Sequence, residues 1–223
     1  MNTINKALSL TLATLVSMPA LAESSNSEDF SFGGRIEARG ALTDSDFADK
    51  SRVRLNGQGK PQINDALTAV GKFEYELTQE DASADTTVKN NTRYAYVGVE
   101  TAHGTLTYGT QDNAVTYLTN FTDMAEVYSG YTNEEFAASG DRAEDTLLYS
   151  VTKGDLTFNA SANLKETENG GGLMVAYKLL PGVEVSAGYA ATEAAVGETD
   201  SSDVYMLGAR YTKDTLLVSG LVQ

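Results

Sequence analysis

Apolar and polar residues alternate with a period of two along most of this 223-residue chain. The alternation recurs in ten or eleven segments, which predicts β-strands with two chemically different faces. In one of them every second residue from Leu156 to Leu164 is apolar, and the residues between are polar. Another is read as one strand from Phe30 to Leu42. Helical periodicity is weak, so the sequence predicts an all-β fold of antiparallel strands.

The connections between these segments are of two kinds. Tight turns, such as Lys153-Gly154-Asp155 and Leu180-Pro181-Gly182, contrast with longer polar stretches at 81–91 and 192–203. Short turns on one rim and long loops on the other are typical of a transmembrane antiparallel β-barrel. A soluble β-sandwich would alternate too. Interleaved Arg and Glu on the polar faces, and Tyr and Phe near the ends of the apolar stripes, favour the barrel.

The N-terminal 22 residues have the pattern of a secretory signal peptide cleaved after Ala22. Their removal takes away one charged residue, Lys6, so the formal net charge of −15 becomes −16. This acidity disfavours nucleic acid as a partner, because such a surface repels phosphate. The chain contains no cysteine, which excludes disulfides and zinc thiolate sites. The glycine run at 170–172 is interpreted as a flexible turn, not a nucleotide site.

One connection is much longer than the others, with over thirty residues between Tyr108 and Arg142. Loops of that length are uncommon unless they have a function. This loop could fold inward and narrow a water-filled lumen, or it could be an ordinary extracellular loop. The polar strand faces present arginines that would line such a lumen: Arg35, Arg39, Arg52, Arg54, Arg93 and Arg142. These could face acidic loop residues, or they could pair with Glu37, Glu74 and Glu76.

Five segments resemble the general diffusion porins of Gram-negative outer membranes. They are SRVRLNGQGKPQINDALTAVGKFEYEL (51–77), TRYAYVGVE (92–100), LTYG (106–109), FTDM (121–124) and DRAEDTLLYS (141–150). The resemblance covers roughly residues 30–165 and implies a 16-stranded barrel of the porin type, assembled as a homotrimer, with its third loop folded into the lumen. About 11 of those strands are expected here, so residues 23–223 are interpreted as a porin domain that lacks its C-terminal strands.

The resemblance also implies the residues of a charged constriction. Arg35, Arg52, Arg93 and Arg142 match the basic wall, and Asp123 matches an acidic position on the loop at about 110–141. The second acidic position falls at Val127 without a gap, with Glu126 beside it, and Glu126 is taken as its equivalent.

The predicted function is passive diffusion of ions and small hydrophilic solutes through the outer membrane. The expected partners are outer-membrane lipid and lipopolysaccharide, and no enzymatic activity, cofactor or metal is expected. Two alternatives remain open. A barrel-embedded hydrolase would need a base, and the only histidine, His103, lies in an expected turn. A sugar-preferring channel could use the loop aromatics Tyr117, Phe121, Tyr128 and Tyr131.

Overall fold

The computed structural model describes residues 29–43, 46–79, 88–124, 142–165, 169–193 and 201–223. The predicted signal peptide lies outside these ranges. Within them the chain forms fourteen strands and one short helix: β1 (Phe30–Glu37), β2 (Gly40–Thr43), β3 (Asp46–Asp49), β4 (Arg52–Gly59), β5 (Gln62–Asn64), β6 (Leu67–Gln79), β7 (Val88–Thr101), β8 (Gly104–Asp112), α1 (Thr116–Thr119), β9 (Arg142–Lys153), β10 (Leu156–Asn163), β11 (Gly170–Leu180), β12 (Val183–Thr192), β13 (Ser202–Lys213) and β14 (Leu216–Val222). No helix in the described part is long and apolar enough to cross a membrane.

Twelve of these strands form one sheet, and successive long strands are neighbours in it. The order is β1-β4-β6-β7-β8-β9-β10-β11-β12-β13-β14, with β5 on β6, while β2 and β3 pair separately. The eleven strands of the main path agree with the number expected from the alternation. The chain divides into two compact units, Met1–Lys60 with Lys72–Tyr94 and Pro61–Gly71 with Ala95–Gln223. The single porin domain predicted for 23–223 stays a prediction.

In the first unit, the two faces of the sheet differ as the alternation predicts. Phe32, Ile36 and Phe73 are exposed, and the rings of Phe32 and Phe73 lie 6.4 Å apart between centroids. The opposite face buries the carboxylates of Glu37 and Glu76. This is the reverse of a soluble protein, in which the apolar face would be covered.

The second unit shows the same reversal on strand β11. Met174 and Ala176 are buried, whereas Leu173 and Val175 between them are 52% and 41% exposed. A β-sandwich would pack this apolar stripe against a second sheet. The exposed stripe therefore argues against the sandwich and fits a sheet whose apolar face meets lipid.

Two of the turns predicted from the sequence are confirmed, and a third prediction is wrong. Gly154 and Gly182 have φ of 60° and 80° in the two predicted tight turns. The glycine run at 170–172, however, is not a turn, because it forms the start of β11. There Gly171 lets β10 approach closely, since a Cβ at this position would lie 2.7 Å from the backbone oxygen of Ser161.

The strand expected from Phe30 to Leu42 is interrupted at Ala38 and Arg39. Here the backbone N–H of Arg39 donates to the Ser51 hydroxyl at 3.1 Å, so a side chain takes the place of a strand partner. The interruption is local, because the pairs Glu37 with Arg52 and Gly40 with Asp49 keep the same register.

Candidate functional site

The first unit gathers charged side chains on the buried face of its sheet. Strands β1 and β4 pair so that Arg35 is opposite Arg54 and Glu37 is opposite Arg52. Directly opposed residues on antiparallel strands share a face. The register therefore brings three arginines and a carboxylate together, and strand β6 adds Glu74 and Glu76.

Glu37 is the centre of the first group of ion pairs. Its Oε1 lies 2.5 Å from Arg35 Nε, and its Oε2 lies 3.5 Å from Arg39 Nη1 and accepts a hydrogen bond from Arg52 Nε. The Glu37 side chain is only 6% exposed. A carboxylate buried to this degree needs such partners, because removing an isolated charge from water is costly.

Glu76 and Glu74 hold the remaining arginines of this face. Glu76 Oε2 accepts from Arg54 Nε and lies 3.5 Å from Arg52 Nη1, and Arg93 Nε donates to Glu74 Oε1 at 2.7 Å. We call these groups the arginine cluster: Arg35, Arg39, Arg52, Arg54 and Arg93 with Glu37, Glu74 and Glu76. Each of the five guanidinium groups lies within ion-pair distance of at least one of these three carboxylates. The pairing alternative considered for these arginines is thus realised.

In the second unit, Arg142 lies where the long loop returns to the sheet. Asp112 ends β8, Arg142 begins β9, and the two are opposed in the strand register. Arg142 Nε is 3.2 Å from Asp112 Oδ1. This ion pair joins the two ends of the long loop.

The described start of the long loop packs against the buried face of β11–β13. Ala114, Val115 and Leu118, around helix α1, join Met174, Ala176, Ala190 and Met206 in one buried cluster. Gly188 makes room for the loop, because a Cβ there would lie 3.0 Å from Val115 Cγ1 and 3.2 Å from Leu118 Cδ1. These residues therefore lie on the buried face of the sheet, whereas residues 125–141 of the loop lie outside the described residues.

Polar side chains fix the same segment at both ends. At its start, the Ser161 hydroxyl accepts from the Ala114 backbone N–H at 3.0 Å, and Gln111 Nε2 donates to the Thr146 backbone oxygen at 2.8 Å. Further along, the Tyr117 hydroxyl donates to Glu184 Oε1 at 2.7 Å. Burial and this bond raise the pKa of Tyr117 to about 12.

The predicted acidic residues of the loop differ in what the structure describes. Asp123 is exposed, just beyond the packed segment, and its backbone N–H donates to Thr119 O at 3.1 Å. Glu126 lies outside the described residues. Of the predicted wall residues, Arg35 and Arg52 share Glu37, Arg93 binds Glu74, and Arg142 binds Asp112.

Sequence reasoning missed the role of Glu184 and Arg210. Both lie on the polar face of their strands, and they are directly opposed in the register of β12 and β13. A carboxylate on a strand whose other polar-face residues are small was the available signal. It could not indicate a partner in the loop, 67 residues away in the chain.

The hydrolase alternative depends on His103, and the sugar-channel alternative depends on loop aromatics such as Phe121. His103 is exposed in the turn between β7 and β8, and its backbone oxygen accepts from the Tyr149 hydroxyl at 2.5 Å. The turn is as expected, and nothing in it forms a nucleophile and base pair. Phe121 is 1% exposed, so its ring packs against protein and is not available to guide a sugar.

Comparisons with known proteins agree with this architecture. The sequence profile of the Gram-negative porin family matches residues 9–223. Outer membrane protein U of Vibrio cholerae is 35% identical over 85% of this chain and 60% of its own length. Porin-like protein L of Photobacterium profundum is 32% identical over 97% of this chain and 69% of its own. The chain thus spans between about 60% and 70% of the length of these two relatives.

Solved structures show the same fold. The OmpF porin of Salmonella typhi, solved in complex with daunomycin, superposes with a TM-score of 0.75 at 24% identity, over 86% of this chain and 64% of that one. An anion-selective porin from Comamonas acidovorans gives a TM-score of 0.62 at 19% identity, over 96% of this chain and 67% of that one. The family match over nearly the whole chain, together with the reversed sheet faces, identifies the protein as a member of the Gram-negative porin family.

Proposed function

We propose that the protein is a general porin of the outer membrane, which forms a water-filled channel for passive diffusion of ions and small hydrophilic solutes. The observation that carries this proposal is the chemical difference between the two faces of the sheet. Large apolar side chains are exposed on one face, and ion pairs and a packed loop occupy the other. A sheet of this kind needs lipid outside and water inside.

We further propose that a charged constriction sets which solutes pass. Its basic side would be Arg35, Arg52, Arg93 and Arg142, and its acidic side Asp123 and Glu126 on the long loop. The grouping of five arginines on the buried face of the first unit and the exposure of Asp123 support this assignment. Opposed charges produce a transverse field in which small polar solutes can reorient, whereas bulky apolar solutes meet a desolvation barrier.

The same proposal includes the partners of the channel. The exposed apolar face fits contact with outer-membrane lipid and with other copies of the chain in a homotrimer. Lipopolysaccharide is expected at the rim that carries the long loops. These assignments rest on the family and on the apolar surface, and they are tested by the size of the native assembly in mild detergent.

Neutralising the loop carboxylate is expected to weaken cation preference. In planar bilayers under a salt gradient, Asp123→Asn should lower the cation-to-anion permeability ratio by about two- to five-fold, because a unit charge a few ångströms from an ion contributes about 1 kcal/mol in water. Arg93→Ala should raise the ratio. The measurement is the reversal potential of the native protein and of each variant.

A matched control is Asp65→Asn, which removes the same charge from an exposed turn outside the long loop. Its reversal potential should equal that of the native protein. If folded native protein gives no conductance steps, the porin proposal fails. If it conducts but Asp123→Asn and Asp65→Asn behave alike, the channel stands and the assignment of Asp123 is wrong.

A further inference from the structure

The base of the long loop is held by side chains from three strands of the second unit. The Tyr117 hydroxyl and Arg210 Nη2 both donate to Glu184 Oε1, at 2.7 and 3.1 Å. Glu184 is 8% exposed, so water has little access to the carboxylate that these two donors share. One carboxylate therefore connects the loop, through Tyr117, to strands β12 and β13.

Arg210 also contacts the loop directly, through an aromatic ring. Its guanidinium carbon lies 4.6 Å from the centroid of Phe121, a cation–π contact, and the rings of Phe121 and Tyr117 are 5.8 Å apart. Arginine suits this role because its planar group can stack on a ring while its edge binds a carboxylate. Glu184 thus orients the group that covers Phe121.

Strand β14 adds a contact at the end of the packed segment. The Ser219 hydroxyl donates to the backbone oxygen of Phe121 and lies 3.7 Å from Met124 Sδ. Asp123, which the proposed function places in the constriction, stands between these two loop residues. The position of its carboxylate therefore depends on how firmly Phe121 is held.

We propose that Glu184 is a positioning residue of the channel: by binding Tyr117 and Arg210 together, it fixes the base of the long loop on the sheet and keeps the pore open. This inference rests on the proposed porin function. It assigns to a wall residue, distant in sequence from the loop, the control of the open state. Without the carboxylate, Tyr117 and Arg210 lose the acceptor that they share, which disfavours the docked loop.

The test records single channels of the native protein, of Glu184→Gln, of Tyr117→Phe and of the double variant that carries both substitutions. Glu184→Gln keeps an oxygen for Tyr117 but loses the charge that binds Arg210, and Tyr117→Phe keeps the buried ring but loses the donor. Both should close about tenfold more often, with the conductance of the fully open state unchanged. Because they act on one network, the double variant should close little more often than Glu184→Gln alone.

A second readout follows the loop without requiring conduction. Amide hydrogen exchange of the backbone N–H groups of Ala114 and Phe121 should accelerate in Glu184→Gln, while exchange in β10 stays as in the native protein. Tyr177→Phe is the matched control, because Tyr177 is 46% exposed on the opposite face of β11. It should match the native protein in both readouts.

The outcomes separate the two proposals. Absence of conductance from folded native protein would refute the porin function, and unchanged exchange in Glu184→Gln would independently refute the anchoring. If the native protein conducts and exchange accelerates in the variants, but their closures remain at the native frequency, the loop is anchored by Glu184 and the control of the open state is overturned.

Discussion

Replacing Glu76 by glutamine is expected to lower the free energy of unfolding by about 3 kcal/mol. Glu76 binds both Arg52 and Arg54, and the side chains of Glu76 and Arg54 are only 11% and 14% exposed. Glutamine keeps the shape of the side chain but removes its negative charge. Arg54 would then lie near the guanidinium group of Arg52 with no carboxylate from position 76 between them. Urea unfolding of protein inserted in lipid vesicles, followed by far-ultraviolet circular dichroism, measures the loss.

The control for this change is Glu144→Gln. Glu144 is also in an ion pair, with Lys165 at 3.9 Å, but its side chain is 69% exposed. Exposed pairs contribute little, so this variant should lie within about 1 kcal/mol of the native protein. Equal stabilities for the two variants would mean that solvent, not Glu76, compensates the charge of Arg54.

Gly109→Ala is expected to prevent the native fold or to destabilise it by at least about 3 kcal/mol. Gly109 has φ of 133°, which L-residues rarely adopt, and a Cβ there would lie 2.2 Å from the Ala95 backbone oxygen. The obstacle is backbone of the paired strand β7, so no side-chain rotation can relieve it. The yield of heat-modifiable, folded protein after refolding into detergent measures the effect.

Substitutions at two other glycines separate backbone strain from steric overlap as causes of the destabilisation. Gly154 has φ of 60° with nothing within 4 Å of an added Cβ, so Gly154→Ala should lose only about 1 to 2 kcal/mol from backbone strain. Gly220 has open space and no unusual φ, and Gly220→Ala should fold as the native protein does. If Gly109→Ala behaves like Gly154→Ala, the close approach of β7 is not what requires glycine.

The strands and their faces could be predicted because side chains on a strand alternate strictly. The period of two places Leu173 and Val175 on one face and Met174 on the other without knowledge of the neighbours. The interruption at Ala38 and Arg39 was not predictable in this way, because Ser51, just before the next long strand, supplies the bond that causes it. The glycine run at 170–172 was misread for a similar reason, since close packing against Ser161 cannot be seen locally.

The candidate site was predictable in its charges but not in its connections. Arg35, Arg52 and Arg93 were found from the polar strand faces and the family resemblance, and the carboxylates near them were named as possible partners. Which carboxylate binds which arginine depends on register and rotamer. The contact of Tyr117 with Glu184 joins residues far apart in the chain, and only the folded loop brings them together.

The ion pair between Asp112 and Arg142 has a consequence for how members of this family can diversify. Because these residues are opposed across adjacent strands, the chain leaves and re-enters the sheet at the same level. Lengthening the sequence between them costs only a slowly increasing closure entropy and moves no strand out of register. The part of the loop beyond the packed segment is thus exchangeable: a relative's sequence can replace residues 125–141 while the contacts of Val115, Leu118 and Tyr117 with the sheet are kept.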